Sequence, residues 1–196
     1  MLKNKIIVAL LFVGCLNADE HDILLEAKGA YFLASNDTFK NIYGNGGGIY
    51  GAEITGKVCD SWYLFASADF FSKNGCTCIF NTPTNVSIAN IGLGIKYLVP
   101  FCYGDFYVGL GVLPTHLRTF DDSPNVPFKD SKWGCGGIAK TGFFINLPCN
   151  FLLDIFFDYS FVKISCPDSC PTPFTQPRKA NVSGFWFGAG LGYRFN

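Results

Sequence analysis

Charge is scarce in this sequence. Lys, Arg, Asp and Glu make up 15% of its 196 residues, against about 25% in an ordinary soluble domain. The 15 basic residues cancel the 15 acidic ones, so the basic excess of a nucleic-acid binder is missing. Aromatics reach 17%, which excludes the charge-rich, aromatic-poor composition of a disordered chain. After residue 20, glycines and charges interrupt every apolar stretch, and none approaches the roughly 20 residues of a spanning helix. Catalytic signatures are missing too. No GxxxxGK[ST], GxSxG or HExxH sequence occurs. Neither His21 nor His116 belongs to a recognisable nucleophile-and-acid motif. The glycines of 188–192 lie at the chain end with no helix to follow, which is not the context of a phosphate site. The expectation is a single domain, not an enzyme, with no cofactor and no nucleic-acid partner.

What is present begins with a targeting segment. Residues 1–20 read MLKNKIIVALLFVGCLNADE. Lys3 and Lys5 form a positive start, an apolar run covers 6–14, and Ala18 offers a small residue before Asp19 and Glu20. This is the pattern of a secretory signal peptide over 1–18, with the mature domain at 19–196. Cys15 after Phe12-Val13-Gly14 is the alternative, a lipoprotein-like processing site at which Cys15 is lipidated. An exported, aromatic chain without a spanning helix leaves two choices: a β-barrel in the outer membrane, or a secreted or periplasmic soluble β-protein.

Alternation discriminates between them. Eight segments with a period of two fall at about 25–34, 48–58, 62–73, 86–98, 105–113, 136–146, 151–162 and 182–195. In the seventh, Phe151, Leu153, Ile155, Phe157, Tyr159 and Phe161 oppose Asp154, Asp158 and Ser160. In the eighth, Phe185, Phe187, Leu191, Tyr193 and Phe195 oppose glycines, Trp186 and Arg194. Short connections (59–61, 101–104, 147–150) alternate with long ones (35–47, 74–85, 114–135, 163–181), as in outer-membrane barrels. A soluble barrel would turn its apolar face inward and a polar face to water. Here the pure face is aromatic and the other mixes glycine with sparse charge, so the aromatic face is expected to meet outer-membrane lipid. The fold class expected is all-β: an eight-stranded antiparallel up-and-down transmembrane barrel.

The expected inward face carries Glu26, Glu53, Asp69, Asp105, Asp154 and Asp158 against Lys28, Lys57, Lys73, Lys96, Lys140 and Arg194. An eight-stranded barrel is only wide enough for side chains to fill it, and unpaired buried charges cost several kcal/mol each. Balanced charges in that space imply a salt-bridged, largely plugged lumen. A narrow channel for small or hydrophobic solutes is one alternative, and a secreted soluble β-barrel that binds a hydrophobic ligand is another. The connection 114–135, with His116, Arg118, Asp121, Asp122, Lys129, Asp130, Lys132 and Trp133, is the expected contact region for a surface partner; the alternative is a solvated loop that seals the barrel.

Nine cysteines are present, and eight remain after cleavage. Cys59, Cys102 and Cys149 fall at the short turns. Cys76, Cys78, Cys135, Cys166 and Cys170 fall in or beside the long loops and are the disulfide candidates, for example Cys166 with Cys170, or Cys76 or Cys78 with Cys135. Neither Cys76-x-Cys78 nor Cys166-x3-Cys170 has zinc spacing, and no metal is expected.

The end of the chain, Gly-Ala-Gly-Leu-Gly-Tyr-Arg-Phe-Asn with alternating Phe185, Phe187, Leu191, Tyr193 and Phe195, resembles the C-terminal strand signal of small Gram-negative outer-membrane β-barrel proteins. Asn196 after the final aromatic is a departure. The segment 39–48, rich in aromatic and glycine residues, is similar to the first-loop region of the same proteins. The resemblance implies insertion by the barrel assembly machinery through 182–195 and implies no particular activity.

Overall fold

The computed structural model describes residues 22–76, 83–121, 128–165 and 179–195. The expected signal peptide, Cys15, His21, Cys78, Cys166, Cys170 and Asn196 lie outside them. Among the described residues, eight long strands run β1 (Ile23–Ala34), β2 (Gly46–Cys59), β3 (Trp62–Cys76), β4 (Pro83–Phe101), β5 (Gly104–Asp121), β6 (Phe128–Asn146), β7 (Phe151–Ser165) and β9 (Gly184–Phe195). A three-residue strand, β8 (Lys179–Asn181), precedes β9. Each pairs antiparallel with its neighbours in the order β6-β5-β4-β3-β2-β1-β9-β7, and β6 pairs with β7 to close the barrel. No described helix is long and apolar enough to cross a membrane.

The period-two alternation sets the two faces. Leu110, Phe161, Phe157, Ile155, Phe187 and Leu191 stand exposed on the outer face. The neighbours they alternate with, such as Asp154, Phe156, Asp158 and Trp186, are buried inside. The exterior therefore presents a face of aromatic and aliphatic side chains. Strand ladders satisfy the backbone around the whole closed circuit, which removes free edges.

The two ends differ. Asp60-Ser61, Cys102-Tyr103 and a single 3-10 turn (Pro148–Asn150) join strands at one end. The other end carries the longer connections and a seven-residue helix, α1 (Asp37–Tyr43). Asn36 caps α1, its side chain accepting from the Phe39 N–H at 3.1 Å. Gly44 ends it with φ +77, a conformation that disfavours side chains. Phe39 dips into the barrel mouth and meets Phe32 and Phe71.

Two expectations are corrected. The segment 114–135 is no loop over most of its length, because β5 runs on to Asp121 and β6 begins at Phe128. The period of two continues there: Thr115 and Leu117 are buried inward, while Arg118 and Phe120 are exposed outward. Second, the inward face is not glycine and charge throughout. Towards the loop end it is a packed apolar cluster that includes Phe32, Phe71, Ile88, Leu113, Ile164 and Trp186. Phe65 and Phe71, which blur the alternation of the third segment, both point inward.

Candidate functional site in the lumen

The inward positions form layers along the barrel axis. Near the turn end, Leu24, Tyr63, Leu98, Tyr107, Phe144, Leu152 and Phe156 pack together. Towards the loop end lies the second apolar cluster, capped by Phe39. Between them is a belt of buried charge.

Glu53 on β2 is the hub of that belt. It is 1% exposed. Lys140 from β6 reaches it at 3.0 Å, Lys28 from β1 at 3.9 Å, and Lys96 from β4 bonds to its other oxygen. Thr55 also donates to it at 3.3 Å. Lys28 extends to Asp154 of β7 at 2.8 Å and more weakly to Glu26 at 3.7 Å. Lys140 extends to Asp158 at 2.9 Å. Three lysines thus cross-link four carboxylates over β1, β2, β4, β6 and β7. Desolvating each ion costs several kcal/mol, so such a set persists only where every member has partners.

Aromatic and backbone groups complete the solvation. Tyr107 donates its hydroxyl to both oxygens of Asp154, each at 3.1 Å. The Lys96 ammonium lies 4.3 Å from the Tyr107 ring centroid, and that of Lys28 lies 4.2 Å from the Phe156 ring centroid. The β6–β7 ladder is interrupted opposite Asp158, whose carboxylate accepts the Thr141 N–H at 3.3 Å. Glu26 is the poorest member: both of its oxygens lack a hydrogen bond among the described residues.

The glycines make room for this packing. A side chain at Gly94 or Gly111 would come within 2.7 or 2.8 Å of the Phe65 ring, and one at Gly142 within 2.6 Å of the Tyr107 hydroxyl oxygen. The aromatic rings thus lie directly on bare backbone of the opposing strands.

The charged residues expected inside do not form one network. Glu26, Lys28, Glu53, Lys96, Lys140, Asp154 and Asp158 come together. Asp105 and Arg194 form a separate group at the turn end, where Arg194 meets Asp105 at 2.8 Å and Asp22 at 3.4 Å. Tyr63 donates to Asp22 there at 2.8 Å. Asp69 accepts from Ser67 at 3.2 Å and makes no ion pair with a described residue. Lys57 and Lys73 stand on the inward register outside the hub. Tyr107, Tyr63, Thr141 and Asp22 had no chemical signal in the sequence. Parity alone places Tyr107 inside, and its partner 47 residues away is set by the barrel's closure.

Phe185, Phe187, Leu191 and Phe195 face outward along β9 with Tyr193, an aromatic row on one strand. Cys76 and Cys135 are free and exposed. They stand on β3 and β6 with two strands between, and at about 4.8 Å per strand they exceed the reach of a disulfide, about 7 Å between Cα atoms. The expected Cys76–Cys135 pairing is thereby corrected. Cys59, Cys102 and Cys149 are also free and exposed at the turn end.

No family model and no curated protein matches the chain. Solved structures do match in fold. The outer membrane protein OprG from Pseudomonas aeruginosa is 16% identical, over 90% of this chain and 96% of that one, with a TM-score of 0.61. Neisserial surface protein A is 15% identical, over 90% and 100%, with a TM-score of 0.56. A major outer membrane protein from Thermus thermophilus is 15% identical, over 89% and 99%, with a TM-score of 0.54. The chain has the closed eight-stranded barrel fold that these outer-membrane proteins share.

Proposed function

We propose that the chain is an integral protein of the bacterial outer membrane with a structural or surface-interaction role, its lumen plugged by the salt-bridged belt. The observation that supports this most is the Glu53 hub, which joins four strands across the bore and reaches a fifth through the pairs of Lys28 with Asp154 and Lys140 with Asp158, with apolar layers packed on both sides. A void at this level, lined by Lys28, Asp69, Lys140 and Asp158, measures about 10 Å³, roughly one water. In this reading the barrel assembly machinery inserts the chain through β9. The protruding ends of β5 and β6 then present the contact region for a surface partner.

Single-channel recording in planar bilayers tests it. The folded chain is expected to give no stable openings. Large, long-lived openings from the unmutated protein would refute the plug.

A second reading, a narrow passage for small or hydrophobic solutes, is favoured by one observation. A cleft of about 180 Å³ opens between α1 and the far wall, lined by Phe39, Ile42, Val86, Leu117 and Val182 with Asn36, Thr119 and Asn181 at its polar side. An apolar fluorescent probe that brightens with the unmutated chain and not with Leu117→Glu would support it.

A further inference from the structure

The charges on the strands are sorted by face. Among strand residues with described side chains, every Asp and Glu stands on the inward register: Glu26, Glu53, Asp69, Asp105, Asp130, Asp154 and Asp158. The outward register holds three charges, all cations: Arg118 on β5, Lys129 on β6 and Lys163 on β7. These strands are neighbours. None of the three cations makes an ion pair with a described residue, and all three are exposed.

Two of them, Arg118 and Lys163, flank one aromatic residue, and Lys129 lies farther along that residue's strand. Trp133 on β6 is 66% exposed. Its ring stacks on His116 of β5, with centroids 4.7 Å apart. Arg118 pairs in register with Ser131 and Lys163 with Cys135. Each is therefore a diagonal neighbour of Trp133, within reach of long side chains at about 7–8 Å. Lys129 is also diagonal to Arg118.

Their height along the barrel is the second argument. A strand tilted by about 40° with a rise of about 3.4 Å per residue climbs roughly 2.6 Å per residue along the barrel axis. An apolar band of about 25 Å then spans about ten residues. Counted from the paired Phe106 on β5 and Phe143 on β6, it ends at the paired His116 and Trp133. Arg118 stands two residues beyond that boundary and Lys129 four, or about 5–10 Å above it by the same rise, while Lys163, paired with Cys135, stands near the boundary itself. That is the level of lipid headgroups, next to an aromatic residue at the interface.

We propose that Arg118, Lys129 and Lys163, on the wall that carries Trp133, bind the phosphate groups of lipids in the outer leaflet and so fix the orientation of the barrel's tall wall. The inference rests on the membrane reading above. Continuity of the patch with the apolar band selects a lipid phosphate as the occupant. The lack of any carboxylate on the same face removes the competing intramolecular partner among the described residues.

The test uses the full mature chain folded into phosphatidylcholine vesicles. A minor fraction of the lipid carries bromine, in either phosphatidic acid or phosphatidylcholine. In a Trp62→Phe background Trp133 is the exposed tryptophan, since Trp186 is buried inside the barrel. Brominated phosphatidic acid is expected to quench Trp133 more than brominated phosphatidylcholine at equal content, with a preference of about fivefold for each cation engaged. The preference should collapse to parity in R118Q/K129Q/K163Q, persist in R118K/K163R, and shrink in high salt with the unmutated residues. Parity before mutation, or an undiminished preference in the triple glutamine variant, would overturn the proposal. If the triple variant does not fold, the salt series decides alone: a preference indifferent to salt overturns it. A chain that gives no heat-modifiable band in neutral vesicles removes the membrane reading itself, an outcome distinct from insertion without phosphate preference.

Discussion

Replacing Glu53 by Gln removes the one charge among the described residues that three lysines share. Lys28, Lys96 and Lys140 would all stay in the bore. Lys28 keeps Asp154 and Lys140 keeps Asp158, but Lys96 has no other ion pair among the described residues and retains the Tyr107 and Phe144 rings. Breaking a buried pair by removing one partner costs about 3–5 kcal/mol, because the remaining charge stays desolvated. With a urea slope of about 2 kcal/mol per molar, the midpoint should fall by roughly 1.5–2.5 M. Glu26→Gln is the control. Glu26 is equally buried but has a single ion pair at 3.7 Å and no hydrogen bond, so its loss should move the midpoint by under about 0.5 M. The assay is reversible urea unfolding in vesicles, followed by tryptophan fluorescence and by the heat-modifiable band. The double variant Glu53→Gln/Lys140→Met should lose less than the sum of its parts, since both changes act on one contact. Equal shifts for Glu53→Gln and Glu26→Gln would refute the hub, as would strict additivity in the double variant.

Other consequences are independent of the hub. Tyr107→Phe removes the hydroxyl that serves both Asp154 oxygens and should destabilise the barrel by about 1–3 kcal/mol in the same urea assay. Gly111→Ala places a methyl against Phe65 and should cost about 1–3 kcal/mol, whereas Gly29→Ala meets no atom within 4 Å and should leave the midpoint unchanged. A membrane-impermeant maleimide applied to intact cells should label Cys76 at the loop end of β3 but reach Cys59, Cys102 and Cys149 only after the outer membrane is permeabilised. Non-reducing mass spectrometry of the folded protein should show no Cys76–Cys135 bridge.

The strand architecture was legible in the sequence for a simple reason. In a closed barrel each strand faces two solvents, so a period of two is written into the residues themselves. Phe157 and Asp158 declare their faces without any knowledge of neighbours. The rule failed where the solvents change. Beyond the lipid band the outward face turns from apolar to polar, so His116 and Arg118 read as loop although the ladder to β6 continues through Asp121. Inside, Phe32, Phe71 and Trp186 sat on the face assigned to polar groups, because a narrow lumen accepts any side chain that fills it.

The sequence by itself determined the strand count, the outward aromatic face and which charges turn inward, since each depends on local alternation. Only the tertiary structure decided which charges meet. Strand stagger brings Glu53 to Lys96 and Lys140 across the bore and sends Asp105 and Arg194 to a separate pair at the turn end. It also keeps Cys76 and Cys135 two strands apart and gathers Arg118, Lys129 and Lys163 on one wall. Those outcomes depend on the register between strands. Register comes from closing the sheet on itself, and no single segment carries that information.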